Sequence, residues 1–232
     1  MSTITAPFPP RARRARLLAG GTTQQALLLC GIGAAVFYVA GDLLGAMHWR
    51  GYHIDTQTIS ELTAIDSPSR AVVVPLMLIY GAFTIAFGIG IRREAGASRA
   101  LRITGGCLLA LGILDLISPF FPIHLRGLTP TTTDSVHVTL MAAELLLILV
   151  AIAASAAVRD NWFRFFCFAA ISVVVIFGFV SAMQGPAMVA NLATPWLGVT
   201  ERVAIYAYLA WSVVLAVQLL RERRHAAHDA GR

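Results

Sequence analysis

Six apolar stretches, near residues 26–47, 71–91, 101–120, 136–158, 165–184 and 203–221, constrain this chain more than any other feature. Each approaches the roughly 20 residues that a helix needs to cross about 30 Å of hydrocarbon. Only 13% of the side chains are charged, where a soluble domain carries about 25%. A large soluble core does not account for that deficit, because its surface would still need polar cover. The expected fold is therefore all-α: a polytopic membrane protein with a bundle of six transmembrane helices. The membrane domain spans 26–221, between a mobile basic tail at 1–25 and a second tail at 222–232. The first stretch follows a run of arginines but has full membrane length and no clear cleavage pattern, so it reads as a retained helix and not a secretory signal.

Arginine placement orients the bundle. All 18 basic residues are arginine, and 14 of them fall in the N-tail, the 92–102 loop, the 159–164 loop or the C-tail. Arg50, Arg70, Arg126 and Arg202 lie on the other side. The formal balance is +10 for the first set of segments and −3 for the opposite set, with Glu144 inside helix four. Positive residues are retained inside, which predicts cytoplasmic termini in an inner (plasma) membrane. The basic tails then meet anionic lipid, which explains the overall +6 without nucleic acid. Cys30, Cys107 and Cys167 are widely spaced within apolar helices and read as small buried side chains, not as a disulfide or metal framework.

The connecting segments carry their own signals. Gly41-x-x-x-Gly45 places two notches on one face of helix one, suited to close helix packing. In the 48–70 loop, Trp49 and Tyr52 suit the headgroup region, and Thr58-Ile59-Ser60-Glu61 has capping-box spacing for a short interfacial helix at 59–65. Ser67-Pro68 reads as a cap and first helical proline, with Pro75 an early turn into helix two. Three threonines and Asp134 cap helix four, and Thr200-Glu201 starts helix six with a carboxylate in its first turn. The segment 185–198 is apolar for a loop, so it lies in the interface or folds over the bundle. Asp42 and Asp115, each about five residues from the end of an odd-numbered helix, hint at an internal repeat that helix five does not share.

Nearly every group capable of chemistry sits at the end opposite the arginine clusters. Ionisable groups in hydrocarbon are costly unless they face a partner or a cavity. Asp42 and Asp115 therefore either pair helices or line a cavity. Asp134, His137, Met141 and Glu144 share one face of helix four, and Ser60, His124, Glu201 and Arg202 come from other segments of the same side. Ser60, His137 and Glu144 are the candidate catalytic residues, and Asp42, Asp115, Glu201 and Arg202 the candidate ligand-binding ones. His124, His137 and Asp115 are candidate ligands of Zn²⁺, with a position open for water. No His-Glu-x-x-His spacing supports that metal. A Ser60–His137–Asp relay also lacks a Gly-x-Ser-x-Gly turn. Haem, phosphate loops and dinucleotide fingerprints find no matching pattern.

Several of these segments resemble a prokaryotic membrane family, domain of unknown function 998. The resemblance rests on Ile59-Ser60-Glu61-Leu62 with Ser67-Pro68-Ser69-Arg70, then Phe121-Pro122-Ile123-His124 and Asp134-Ser135-Val136-His137. Gly198-Val199-Thr200-Glu201-Arg202, leading into a helix with Trp211, completes it. The resemblance implies six membrane helices and directs attention to Ser60, His124, His137, Glu201 and Arg202, with no assigned reaction. The leading expectation is a pocket on the external side that binds a lipidic or small amphiphilic ligand. A metal-dependent hydrolase of lipid amides or esters and a cation- or proton-coupled transporter are the alternatives, and the number of subunits stays open.

Overall fold

The computed structural model describes residues 10–157 and 160–229, with side chains described over 21–157 and 160–225. The part of the basic tail at 1–9 lies outside those residues. Helix α1 (Pro10–His48) is followed by a 3-10 turn (Ser60–Thr63), α2 (Arg70–Glu94) and α3 (Arg99–Ile117). A second 3-10 turn (Ser118–Phe120) leads towards α4 (Thr132–Ala156), α5 (Asn161–Met183), the short α6 (Gly185–Val189) and α7 (Leu197–Asp229). Six helices are long and apolar enough to cross a membrane, and no strand occurs among the described residues. All six match the stretches read from hydropathy, but the outer two run further. α1 already begins at Pro10, inside the expected tail, and α7 continues past 221 to Asp229.

Each spanning helix packs on its neighbours in sequence, and α7 closes against α1, so the six form a ring. Short connections enforce this order. Ser98 accepts a hydrogen bond from the Leu101 N–H to start α3, and Asp160 accepts from the Phe163 N–H to start α5. Side-chain caps of this kind satisfy backbone donors that lack a partner in the first turn.

α2 and α3 approach glycine on glycine. A Cβ on Gly88 would lie 2.8 Å from the Gly105 carbonyl oxygen, and one on Gly112 would lie 2.7 Å from that of Gly81. Small residues permit such backbone contact, which in lipid replaces the hydrophobic effect as the source of helix association. Gly41 and Gly45 serve the same purpose towards Met77 and Val73 of α2, which agrees with a packing role.

The apolar core fills the arginine-rich half. Leu28, Phe87, Ile91, Leu108, Ile152, Phe163, Trp211 and Leu215 are all nearly fully buried. Within it the Trp211 indole N–H donates to Ser155 Oγ at 3.1 Å. At the other end the helices part. Towards its Thr132 end α4 buries only His137 and Glu144, and α5 buries nothing beyond Val174. α4 and α5 therefore hold together beside their shared loop and diverge away from it.

The loops at that open end correct several local expectations. Ser67-Pro68 does not start α2, which begins at Arg70. Ser67 and Ser69 instead donate to the Leu62 carbonyl. The interfacial helix is a single 3-10 turn, although Thr58 and Glu61 do bond reciprocally, with Thr58 N–H to Glu61 Oε2 at 2.7 Å. α7 starts at Leu197, so Glu201 sits a turn inside the helix, not at its cap.

Candidate functional site

Three polar assemblies occupy the end opposite the arginine clusters, and each uses segments far apart in sequence. The outermost is centred on Arg126. Its guanidinium donates to both Glu61 carboxylate oxygens, at 2.6 and 2.9 Å, to Thr194 Oγ1 at 2.6 Å and to the Thr56 carbonyl at 2.6 Å. One side chain thereby joins the 48–69 segment, the loop before α4 and the apolar segment after α6. Burial alone would raise the Glu61 pKa. The Arg126 guanidinium, the Thr58 N–H and the Gln57 amide outweigh that and hold it below the usual glutamate value. The apolar 185–198 segment is folded over the bundle here through Thr194 and through Gly198 N–H, which donates to the Asp55 carbonyl.

The second assembly is an ion pair in the helix interface. Arg202 of α7 makes two bonds to Asp42 of α1, at 2.9 and 2.7 Å, and the Tyr206 hydroxyl adds a third at 2.5 Å. The remaining guanidinium donors go to the Ile54, Gln57 and Gly198 carbonyls and to the Tyr52 hydroxyl. Burial pushes the Tyr52 phenol up from its ordinary value, against the pull of Arg202. Asp42 and Arg202, expected to bind a ligand, are instead fully engaged with each other and with the first loop. A buried charge needs that degree of pairing.

The third assembly lines a chamber of about 90 Å³ between α1, α2, α3, α4 and α7. Ser60, Asp115, His137, Glu144 and Glu201 all reach it, together with Tyr38, Tyr80 and Thr63. Four links fix the wall that carries Ser60. Ile59 N–H donates to Glu201 Oε2 at 2.7 Å, and Ile65 N–H donates to the Ile123 carbonyl at 2.8 Å. Arg70 donates to the Thr63 and Pro119 carbonyls. His137 lies against Phe121 O at 3.0 Å through Nδ1 and against Ser60 Oγ at 3.2 Å through Nε2. The Tyr80 hydroxyl interacts with the Asp115 carboxyl. Asp115 Oδ2 and Glu144 Oε1 are buried yet have no hydrogen-bond partner among the described residues.

A larger, mainly apolar cavity of about 370 Å³ adjoins that chamber. Tyr38, Tyr80, Asp115, Met141, Glu144, Glu201 and Ile205 line both spaces. The larger one is walled by Val138, Leu145 and Ile148 of α4 and by Val174, Gly178 and Ala182 of α5. Val138 is 64% exposed, so the gap between the diverging helices faces the lipid side of the bundle.

His124 stands apart from this chamber. Its N–H and Nδ1 contact the two Asp134 oxygens at 2.8 and 2.7 Å, while Asp134 also accepts the Thr131 N–H to cap α4. Among the described residues no three His, Cys, Asp or Glu side chains are placed to hold one metal ion. His124, His137 and Asp115 therefore do not come together as the expected ligand set. Sequence reasoning did not single out Arg126, Tyr38 or Tyr80. Arg126 carried a signal, being one of only four arginines on its side. Tyr38 stands one helical turn before Asp42, a spacing too common among apolar helices to mark a site.

Comparison with curated proteins and with solved structures gives no match. The model of one protein family, described as protein of unknown function (DUF998), matches residues 32–218. That match covers the four inner spanning helices, most of the first and last, and all three polar assemblies, and the chain belongs to the DUF998 family.

Proposed function

We propose that this membrane protein binds an amphiphile, with the polar head in the small chamber and the apolar tail in the cavity between α4 and α5. The observation that carries this reading is that Asp115, Glu144 and Glu201 line both the small polar chamber and the larger apolar cavity beside it. Ligand pockets are largely apolar with a few placed polar groups, and this one divides the two along its length. The unpartnered Asp115 and Glu144 oxygens favour a head that donates hydrogen bonds, such as an amine or a hydroxyl, since an unmet buried acceptor costs about 1–3 kcal/mol. The gap towards lipid supports access from within the bilayer. The arginine distribution supports an external position for the chamber, with both termini cytoplasmic.

Mass spectrometry of amphiphiles retained after detergent purification tests this. Ala182→Trp fills the mouth of the apolar cavity and is expected to reduce the retained amphiphile at least about 10-fold, an effect of some 1.4 kcal/mol. Phe168→Trp, at an exposed α5 position outside the cavity lining, is expected to retain it. Equal retention by both variants would overturn the reading.

A further inference from the structure

His137 is held in one tautomer. Its Nδ1 faces the Phe121 carbonyl oxygen at 3.0 Å, and a carbonyl only accepts, so Nδ1 carries the hydrogen. In the neutral ring Nε2 then presents a lone pair, and the group in front of it is the Ser60 hydroxyl at 3.2 Å. A serine donating to an imidazole whose far nitrogen is anchored has the geometry of an activated nucleophile and its base. In such a pair the third group orients the ring, and here the Phe121 carbonyl fills that position.

Both partners sit on supports that limit their movement. Ser60 begins a 3-10 turn whose preceding N–H is held by Glu201 and whose next residue is clamped by Arg126. His137 is on the first turns of α4, is 6% exposed, and follows a helix start capped by Thr131 and Asp134. The pair borders the chamber, with Asp115 and Glu144 on other parts of its lining. Tyr38 lines the same space and carries a phenolic donor of the kind that stabilises an oxyanion, while the Tyr80 hydroxyl is engaged by Asp115. Packing alone asks nothing of the chamber's wall beyond a filled hydrogen bond. A nucleophile and base facing a cavity with unmet carboxyl oxygens asks for a substrate.

We infer that Ser60 and His137 cleave a carboxylic ester of an amphiphile bound in this chamber, an inference that rests on the amphiphile-binding reading. Ser60 Oγ attacks the ester carbonyl carbon while His137 Nε2 takes the hydroxyl proton. Collapse of the tetrahedral intermediate breaks the bond to the alkoxy oxygen, which leaves as an alcohol with the proton from Nε2. Water, deprotonated by the same nitrogen, then attacks the acyl-Ser60 ester. Breaking that bond releases the carboxylic acid and returns the proton to Ser60.

A long-chain alkyl fluorophosphonate, which phosphonylates activated serines, is the probe. Purified full-length protein in detergent is treated with it, and the modified peptide is located by mass spectrometry. Labelling at Ser60 is expected in the wild type and none at that position in Ser60→Ala. His137→Gln is expected to label at least about 100-fold more slowly, the lower bound for loss of a positioned base. Retained amphiphile is measured on the same samples. Wild-type protein that keeps its amphiphile but leaves Ser60 unlabelled would overturn the hydrolytic inference and spare the binding reading. Equal labelling of His137→Gln would also overturn it. Should His137→Gln fail to fold, turnover of a long-chain p-nitrophenyl ester decides, with unchanged turnover in Ser60→Ala refuting the inference.

Discussion

Arg202 and Arg126 show how a residue's role follows from its partners. Both lie on the arginine-poor side, and each binds a carboxylate through two nitrogens, which suits a planar guanidinium better than an ammonium. Removing one member of a buried pair leaves the other charge uncompensated, at a cost of about 3–5 kcal/mol. Arg202→Met should therefore lower the thermal unfolding temperature in detergent substantially. Restoring much of it with Asp42→Asn in the same chain would identify the stranded Asp42 charge as the cause, and a fully additive double variant would refute that account. Glu61 gives a pH prediction. Its pKa is depressed in the folded protein, so its stabilising contribution is complete above the unfolded value of about 4.3 and declines as pH falls through the folded value. Acid titration should thus loosen the loops joined by Arg126. The decline, followed by thermal unfolding, should be shallower in Glu61→Gln.

At the scale of elements, α2 and α3 pack through glycine, and α4 and α5 through a short apolar seam near one end only. Gly88→Val places new carbons against the Gly105 carbonyl and should cost about 1–3 kcal/mol by overpacking, seen as a lower unfolding temperature. Gly178→Ala, where nothing lies within 4 Å of an added Cβ, should be tolerated in the same assay. The Gly41-x-x-x-Gly45 notch was legible because period and residue size are local properties. The α2–α3 contact was not, since Gly81, Gly88, Gly105 and Gly112 acquire meaning only when two helices are set in register. Ser67-Pro68 misled for a related reason. Its local cap signal was overridden when both Ser67 and Ser69 turned to the Leu62 carbonyl.

For the whole molecule, the proposed orientation predicts opposite accessibility of the two ends. His53→Cys should react with a membrane-impermeant maleimide in intact cells, and Arg224→Cys only after permeabilisation, and the reverse pattern would invert the topology. Hydropathy alone determined the six helices, because lipid leaves the backbone no satisfactory alternative over 20 apolar residues. Residue depth likewise gathered Ser60, Asp115, His137, Glu144 and Glu201 at one end. Only the tertiary structure decided which ionisable groups of that end face a common cavity and which neutralise one another. Asp42 and Asp115 occupy similar places in their helices, yet the first meets Arg202 and the second a chamber. That difference is a matter of azimuth and of what the neighbouring helix presents, which pairwise packing fixes and linear spacing does not encode.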